Sequence, residues 1–217
     1  FALPILQKFQ KDESKRRRVR ALVLVPTREL ASQVGDSFRS YGSNLRFRTS
    51  TLYGGVSINT QIDKLRKGID IVVATPGRLL DHLERRTLDL SELEVFVLDE
   101  ADRMLDMGFI RDIKKILTYL PKKKQNLLFS ATFPKEIKAL ADSLLNSPKR
   151  IQVASNNSTV DKVTQVVYPV DKARKRELQT YCIKEEDWFQ VLVFKRTKHG
   201  ANKLAGQLNK EGIDADA

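Results

Sequence analysis

The stretch Val95-Phe96-Val97-Leu98-Asp99-Glu100-Ala101-Asp102 sets the reading of the whole chain, because four apolar residues run without a break into a cluster of carboxylates. An unbroken apolar run of this length fits a strand covered on both faces, and acids at its carboxyl end stand where parallel α/β sheets bind ligands. In a nucleotide hydrolase such acids divide the work. The first holds hydrated Mg²⁺, and the second positions and polarises the attacking water. Asp99 and Glu100 fit those two tasks. Taken alone, they have a plainer reading, as acids that complement the dipole of the following helix.

Working outward, the same rhythm of short apolar run, turn signal and helical periodicity repeats on both sides, which predicts an α/β fold with a parallel sheet flanked by helices. Strands are expected at Ala21 to Val25, Arg48 to Leu52, Asp70 to Ala74, Val95 to Leu98 and Asn126 to Phe129. Helical patterns run through Leu30, Val34 and Phe38 and again after Gly55, Pro76, Asp102 and Pro134. Thr75-Pro76 reads as a helix start, with the threonine hydroxyl capping free N–H groups and proline at the first helical position. After Ile151 the pattern gives way to Ala154-Ser155-Asn156-Asn157-Ser158-Thr159, a small polar stretch expected to be a linker. The expected organisation is a first domain over 1–153, a linker over 154–162 and the start of a second α/β domain over 163–217. In that second unit a strand is expected over Val163 to Val170, a helix over Arg174 to Ile183, a buried strand over Gln190 to Phe194 and a helix over Thr197 to Lys210.

Composition narrows the function classes. The 217 residues carry 39 Lys+Arg against 27 Asp+Glu, a formal charge of +12. With 41% hydrophobic and 30% charged residues, the chain reads as a soluble globular protein rather than a disordered or collagen-like polymer. Apolar runs such as Ala21 to Val25 and Ile71 to Ala74 fall far short of the roughly 20 residues needed to cross a bilayer. Cys182 is the single cysteine, which rules out an internal disulfide and a cysteine-based zinc site and points to a reducing compartment, the cytoplasm. His82 and His199 have no companion ligands at metal spacing and read as surface or helix-end residues; Cys182 and Trp188 are expected to pack. The basic runs Lys15 to Arg18 and Lys122 to Lys124 read as solvated loops. Aromatic residues, 7% of the chain, form no base-stacking platform of the RRM or OB kind.

The plainer reading of the acidic cluster loses ground because other motifs stand in a fixed order around it. Pro26-Thr27-Arg28-Glu29-Leu30-Ala31, Gly54-Gly55, Thr75-Pro76-Gly77-Arg78, Asp99-Glu100-Ala101-Asp102 and Ser130-Ala131-Thr132 resemble, in sequence and order, the motifs of DEAD-box ATP-dependent RNA helicases. Gln125 to Phe133 and Val191 to Asn202 look most like the RhlE-type branch. The resemblance implies two RecA-like lobes that close over ATP-Mg²⁺ and over single-stranded RNA, which couples hydrolysis to local duplex unwinding. It implies that Asp99 holds Mg²⁺ through water and that Glu100 activates the hydrolytic water. Asp102 would bond the Ser130 and Thr132 hydroxyls. Pro26, Thr27, Arg28, Gly54, Gly55, Thr75, Pro76, Gly77 and Arg78 would line the RNA path. Helix-start N–H groups and mobile arginine forks suit phosphate oxygens, so that these contacts read backbone rather than bases. Arg28 and Arg78 also fit surface ion pairs, and Gly54-Gly55 fits ordinary turn chemistry. In the second unit Lys195, Arg196 and Thr197 resemble an RNA-contacting motif; their other reading is a cationic strand-to-helix turn.

Family elements are absent: no glycine stands in a G-x-x-x-x-G-K-[ST] phosphate loop, and the adenine-reading glutamine motif and the later second-domain motifs, with the arginines that complete the ATP site, are missing too. In the family that loop lies just before a segment like Phe1 to Leu6. The sequence opens on Phe1 rather than Met and is expected to be a piece of a longer protein, inactive towards ATP by itself. Two rivals remain open at this level: a non-catalytic RNA-binding clamp of helicase shape, and a DNA-directed motor, against which Asp102 and Ser130-Ala131-Thr132 argue.

Overall fold

The computed structural model describes residues 1–11, 18–153, 164, 166–186 and 188–217. The chain divides into two compact units, Phe1–Asn156 and Asn157–Ala217; the expected linker at 154–162 lies outside the described residues.

The first unit is built on five parallel strands: β1 (Ala21–Leu24), β2 (Thr49–Leu52), β3 (Ile71–Ala74), β4 (Val95–Leu98) and β5 (Gln125–Leu128), in the spatial order β2-β3-β1-β4-β5. The three central strands are buried at every position, whereas β2 alternates and β5 is partly exposed. That gradient follows from the sequence: continuous Ala/Val/Ile/Leu runs tolerate apolar layers on both faces, and Thr49-Ser50-Thr51 does not require them.

Alternation sends each central strand's side chains into two cores. On one face Leu22, Leu24, Val72, Ala74, Phe96 and Leu98 meet the helices α4 (Pro76–Glu84), α5 (Ala101–Asp106), α6 (Ile110–Leu117) and α7 (Lys135–Leu144). On the other, Ala21, Val23, Ile71, Val73, Val95 and Val97 meet α1 (Ala2–Gln10) and α2 (Arg28–Tyr41). A fully buried Leu, Val or Phe contributes about 1.5–3 kcal/mol, so this double layer fixes the sheet. One further helix, α3 (Ile58–Arg66), covers β2. At the amino end of the sheet Arg20 is buried. It is neutralised by Glu94 at 2.5 Å and lies 4.1 Å from the Phe9 ring centre, as a buried cation requires.

The helix starts differ from expectation in one respect. Thr27 caps α2 as its residue type suggests, Oγ1 accepting from the Leu30 amide at 3.2 Å. Thr75 is extended ahead of Pro76 but makes no side-chain cap bond, so proline alone shapes that start. The pattern expected after Asp102 divides into α5 and α6, with Gly108 at φ +81 between them.

The second unit holds helices α8 (Lys175–Glu185) and α9 (Lys198–Lys210), close to the expected ones. The expected strands at Val163 to Val170 and Gln190 to Phe194 do not form among the described residues. Nor is the second of these buried: Leu192 is 80% and Phe194 87% exposed, beside Phe189 at 99%. A helix closes its hydrogen bonds within its own segment, whereas a strand takes them from a neighbour. Cys182 packs as expected, but Trp188 is exposed.

Candidate functional site

The last residues of the five strands lie in register across the sheet: Leu52 beside Ala74, Ala74 beside Leu24, Leu24 beside Leu98 and Leu98 beside Leu128. The strands therefore end flush, and the five segments that follow share one carboxyl rim. Along it stand, in order, Gly54-Gly55, Thr75 to Arg78, Pro26 to Arg28, Asp99 to Asp102 and Ser130 to Thr132. The chain reverses direction of strand addition between β1 and β4, the kind of switch point at which open α/β sheets bind ligands.

At the acidic end of the rim, the Asp99 amide continues the ladder by donating to the Leu24 carbonyl at 3.0 Å. Its carboxylate Oδ1 accepts from the Glu100 amide at 3.0 Å, and Oδ2 has no partner among the described residues. Burial raises the Asp99 pKa; the Glu100 amide bond opposes the shift and the Glu100 charge adds to it. A carboxylate held in this state gains from a cation, and an oxygen pair of this kind suits a Mg²⁺ that keeps most of its water. Among the described residues no group of three or more His, Cys, Asp or Glu forms an all-protein metal cage. Glu100 stands in the left-handed region, φ 50 and ψ 50, with Oε2 3.2 Å from Arg103 Nη1. Such strain in a residue other than glycine marks positions where the surroundings hold a side chain in place.

The following turns are clasped. Asp102 Oδ2 accepts from the Thr132 amide at 2.9 Å and from its hydroxyl at 2.8 Å. The Ser130 hydroxyl departs from expectation: it donates to the Thr132 carbonyl at 2.7 Å and accepts from the Asp102 amide at 3.2 Å. Burial acts to raise the Asp102 pKa, but the bonds from the Thr132 hydroxyl and amide, helped by the nearby Ser130 hydroxyl and the Arg103 amide, outweigh it and hold the carboxyl below its ordinary value. The Ala101 amide donates to the Phe129 carbonyl at 3.1 Å, which joins the two segments a third time.

At the basic end, Arg28 is exposed and paired with Glu29 at 2.7 Å. Gly55 has φ +82, a backbone that favours glycine, and a Cβ there would lie 3.4 Å from Arg28 Nη1. Arg78 is not the mobile fork expected. Its side chain is only 11% exposed; Nη2 donates to the Val56 carbonyl and Nη1 to Gln61 Oε1, both at 3.0 Å, and Asp81 lies 3.5 Å away. His82 is not a surface residue either. It is fully buried, with Nε2 3.0 Å from Gln61 Oε1 and Nδ1 2.8 Å from Thr87 Oγ1, and burial lowers its pKa.

Gln61 is the residue the sequence reading missed. Its signal was present: Ile58, Gln61, Ile62 and Leu65 share one helical stripe, and a glutamine within such a stripe must be hydrogen-bonded inside. His82 interrupts the Leu79, Leu83 stripe of α4 in the same way.

Lys195, Arg196 and Thr197 belong to the other unit. All three are exposed, and Thr197 caps α9 by accepting from the Gly200 amide at 3.1 Å, a cationic turn into a helix with no strand before it. His199 is exposed, as expected. Lys122 and Lys123 are solvated, but Lys124 is half-buried with Nζ on the Pro121 carbonyl, and Arg18 pairs with Glu92; residues 15–17 lie outside the described residues.

Comparison with known proteins gives concordant matches. A family model described as DEAD/DEAH box helicase matches residues 1–140. The protein named DEAD-box ATP-dependent RNA helicase CshA of Bacillus cereus (strain ATCC 10987 / NRS 248) is 41% identical over 216 residues, covering 100% of this chain and 41% of that protein. Its namesake in Bacillus subtilis (strain 168) is 38% identical, covering 100% of this chain and 43% of that one. A crystal structure of a hypothetical ATP-dependent RNA helicase from Sulfolobus tokodaii superposes with TM-score 0.61 at 40% identity, covering 68% of this chain and 42% of that chain. The chain thus spans about two fifths of the length of the curated relatives it matches. These relatives bear the CshA name, a different branch from the RhlE-type one expected.

Proposed function

The chain belongs to the DEAD/DEAH box helicase family, and from that premise we propose that its activity, at the full length of its relatives, is that of an ATP-dependent RNA helicase whose RNA-dependent ATPase works in the cytoplasm. The observation that carries this reading is the shared rim, where five flush strands set one acidic turn and one hydroxyl-bearing turn beside three turns that carry glycine, arginine or both. The proposed organisation is a first RecA-like domain over 1–153, a linker over 154–162 and the start of a second over 163–217. The RhlE-type branch rests on Gln125 to Phe133 and Val191 to Asn202 alone.

Asp99 would hold Mg²⁺ through water, and the ion would neutralise phosphate charge as the terminal phosphoryl group leaves. Glu100 takes the part of the group that orients the attacking water, from a backbone that fixes where its carboxylate starts. Asp102 and Thr132 clasp two successive turns, so a displacement at Asp99 and Glu100 is carried to the Ser130–Thr132 turn. Pro26, Thr27, Arg28, Gly54, Gly55, Thr75, Pro76, Gly77 and Arg78 form the RNA side. Gly54 and Gly77 support this, because a Cβ at either would meet nothing within 4 Å; no packing among the described residues calls for glycine there, and close approach of a phosphate backbone would. Lys195, Arg196 and Thr197 supply the RNA contacts of the second domain.

The test is ATP turnover by the protein at its relatives' full length, with and without single-stranded RNA, beside Glu100→Gln. RNA-stimulated turnover that falls by about 10²–10⁴-fold in the variant is expected. The 217-residue chain, which lacks the phosphate-loop pattern, is expected to show none. A full-length protein that binds RNA in a salt-sensitive way without hydrolysing ATP would be a helicase-shaped clamp instead.

A further inference from the structure

We propose that Gln61 is a positioning residue that locks Arg78 and the turn from Tyr53 to Val56 into one preformed phosphate-binding surface, with His82 as its support. The inference rests on the RNA reading of Arg78 given above, and deepens it.

Gln61 is only 5% exposed. Its one amide group ties three segments together. Oε1 accepts from Arg78 Nη1 and from His82 Nε2, each at 3.0 Å, and Nε2 donates to the Tyr53 carbonyl at 3.1 Å. Arg78 Nη2 then donates to the Val56 carbonyl at 3.0 Å. The Gly54-Gly55 turn is therefore held at both ends, by the amide at Tyr53 and by the guanidinium at Val56. The amide fits only one way round, since two donors converge on one of its atoms and a carbonyl faces the other. That in turn sets the histidine: Nε2 carries a proton, and Nδ1 faces the Thr87 hydroxyl at 2.8 Å.

The chemistry explains why a neutral residue stands here. A buried carboxylate would also accept from Arg78 and His82, but it would cancel the positive charge and face the Tyr53 carbonyl with no donor. An amide immobilises the guanidinium and leaves its charge for a phosphate. Asp81, 3.5 Å from Arg78 Nε, is 55% exposed, and its pairing is screened by solvent. A guanidinium ordered before binding loses less side-chain entropy when the phosphate arrives.

The experiment is a double-mutant cycle on the full-length protein, read by the affinity of a fluorescein-labelled single-stranded oligouridine over a salt series. Arg78→Ala should weaken binding by about 5–10-fold and make the salt slope shallower by about 0.7, as loss of one phosphate contact on a single strand requires. Gln61→Met should weaken it by about 3–10-fold and make the slope shallower in the same sense, yet add nothing in the Arg78→Ala background. Gln61→Asn keeps an amide but is one methylene too short to span Arg78 and Tyr53; it should repeat the result, and it replaces the methionine variant where that one fails to fold. A residue that merely holds the fold would lower the fraction of protein able to bind and leave the slope unchanged. Full additivity, or wild-type affinity in both Gln61 variants while Arg78→Ala binds weakly, overturns the inference and leaves the RNA reading standing. Wild-type affinity in Arg78→Ala overturns the RNA reading of this corner, and the inference with it.

Discussion

The two ends of the carboxyl rim solve one problem in opposite ways. Each needs a turn with a positive φ: at the basic end Gly55 supplies it at φ +82, and at the acidic end Glu100 does at φ +50. The basic end is held by a neutral network of the buried Gln61 and His82 with the half-buried Thr87. The acidic end is held by a partly exposed charge, Asp102, gripping Thr132. At the basic end the supporting groups are thus separate from the cation they hold. In the acidic turn the support is itself a carboxylate, three residues from Asp99 and two from Glu100. Loss of support should therefore cost stability at the basic end and alter electrostatics at the acidic one.

The largest expected effect breaks the buried side of that contrast. His82→Ala leaves a cavity and a Gln61 oxygen short of a donor, and should lower the stability of the first unit by roughly 2–4 kcal/mol in urea unfolding. It should also remove a pH dependence. Burial, aided by the charges of Arg78 and Arg85 and opposed by Asp81, lowers the His82 pKa from its ordinary value of 6.5, so the unfolded chain binds the proton more readily. Wild-type stability is then intact above about pH 6.5 and declines below it, a slope the variant should lack.

Next in size, the acidic corner should split by sign. Asp102→Ala removes the clasp and should cost about 1–2 kcal/mol at neutral pH. Because its folded pKa is depressed, this contribution is present above the ordinary carboxylate value near 3.9 and fades as pH falls through the folded one. Asp99→Asn should do the reverse, stabilising by a few tenths to about 1 kcal/mol, since the raised pKa means that folding disfavours the charge. Thermal melts of both variants across pH 3–8 check the pair; equal signs would remove the contrast.

The smallest effects sharpen the backbone comparison. Glu100→Gly should leave stability unchanged or raise it by less than about 1 kcal/mol, while Gly55→Ala should lower it by about 1 kcal/mol, because only one of the two positions holds a strained side chain. Chemical denaturation of the two variants side by side measures this.

How much of this was legible in the sequence depends on where each element finds its partners. Ala21 to Leu24 and Val95 to Leu98 announced themselves because central strands of a parallel sheet are apolar at every position, and the motif after each strand marked the rim. Helices α8 and α9 were legible because their bonds are internal. Val191 to Phe194 carries the same apolar signal as β1 yet stays exposed and unpaired among the described residues, since sequence shows a strand's appetite for neighbours but not whether neighbours are there. In the site, Asp102 with Thr132 was anticipated. The Ser130 reversal was not, because a hydroxyl both donates and accepts and only geometry chooses between them. Gln61 was overlooked because a buried amide looks like any surface glutamine until its helical stripe is counted.

The exposed Phe189, Leu192 and Phe194 have a consequence for handling. Exposed apolar side chains of this size favour self-association, on a molecule whose copies are kept apart by a charge of +12. That repulsion reaches about 10 Å at 0.1 M salt but only about 3 Å at 1 M. Strong salt, the natural means of stripping nucleic acid from a basic protein, is therefore also the condition in which this chain clings to itself.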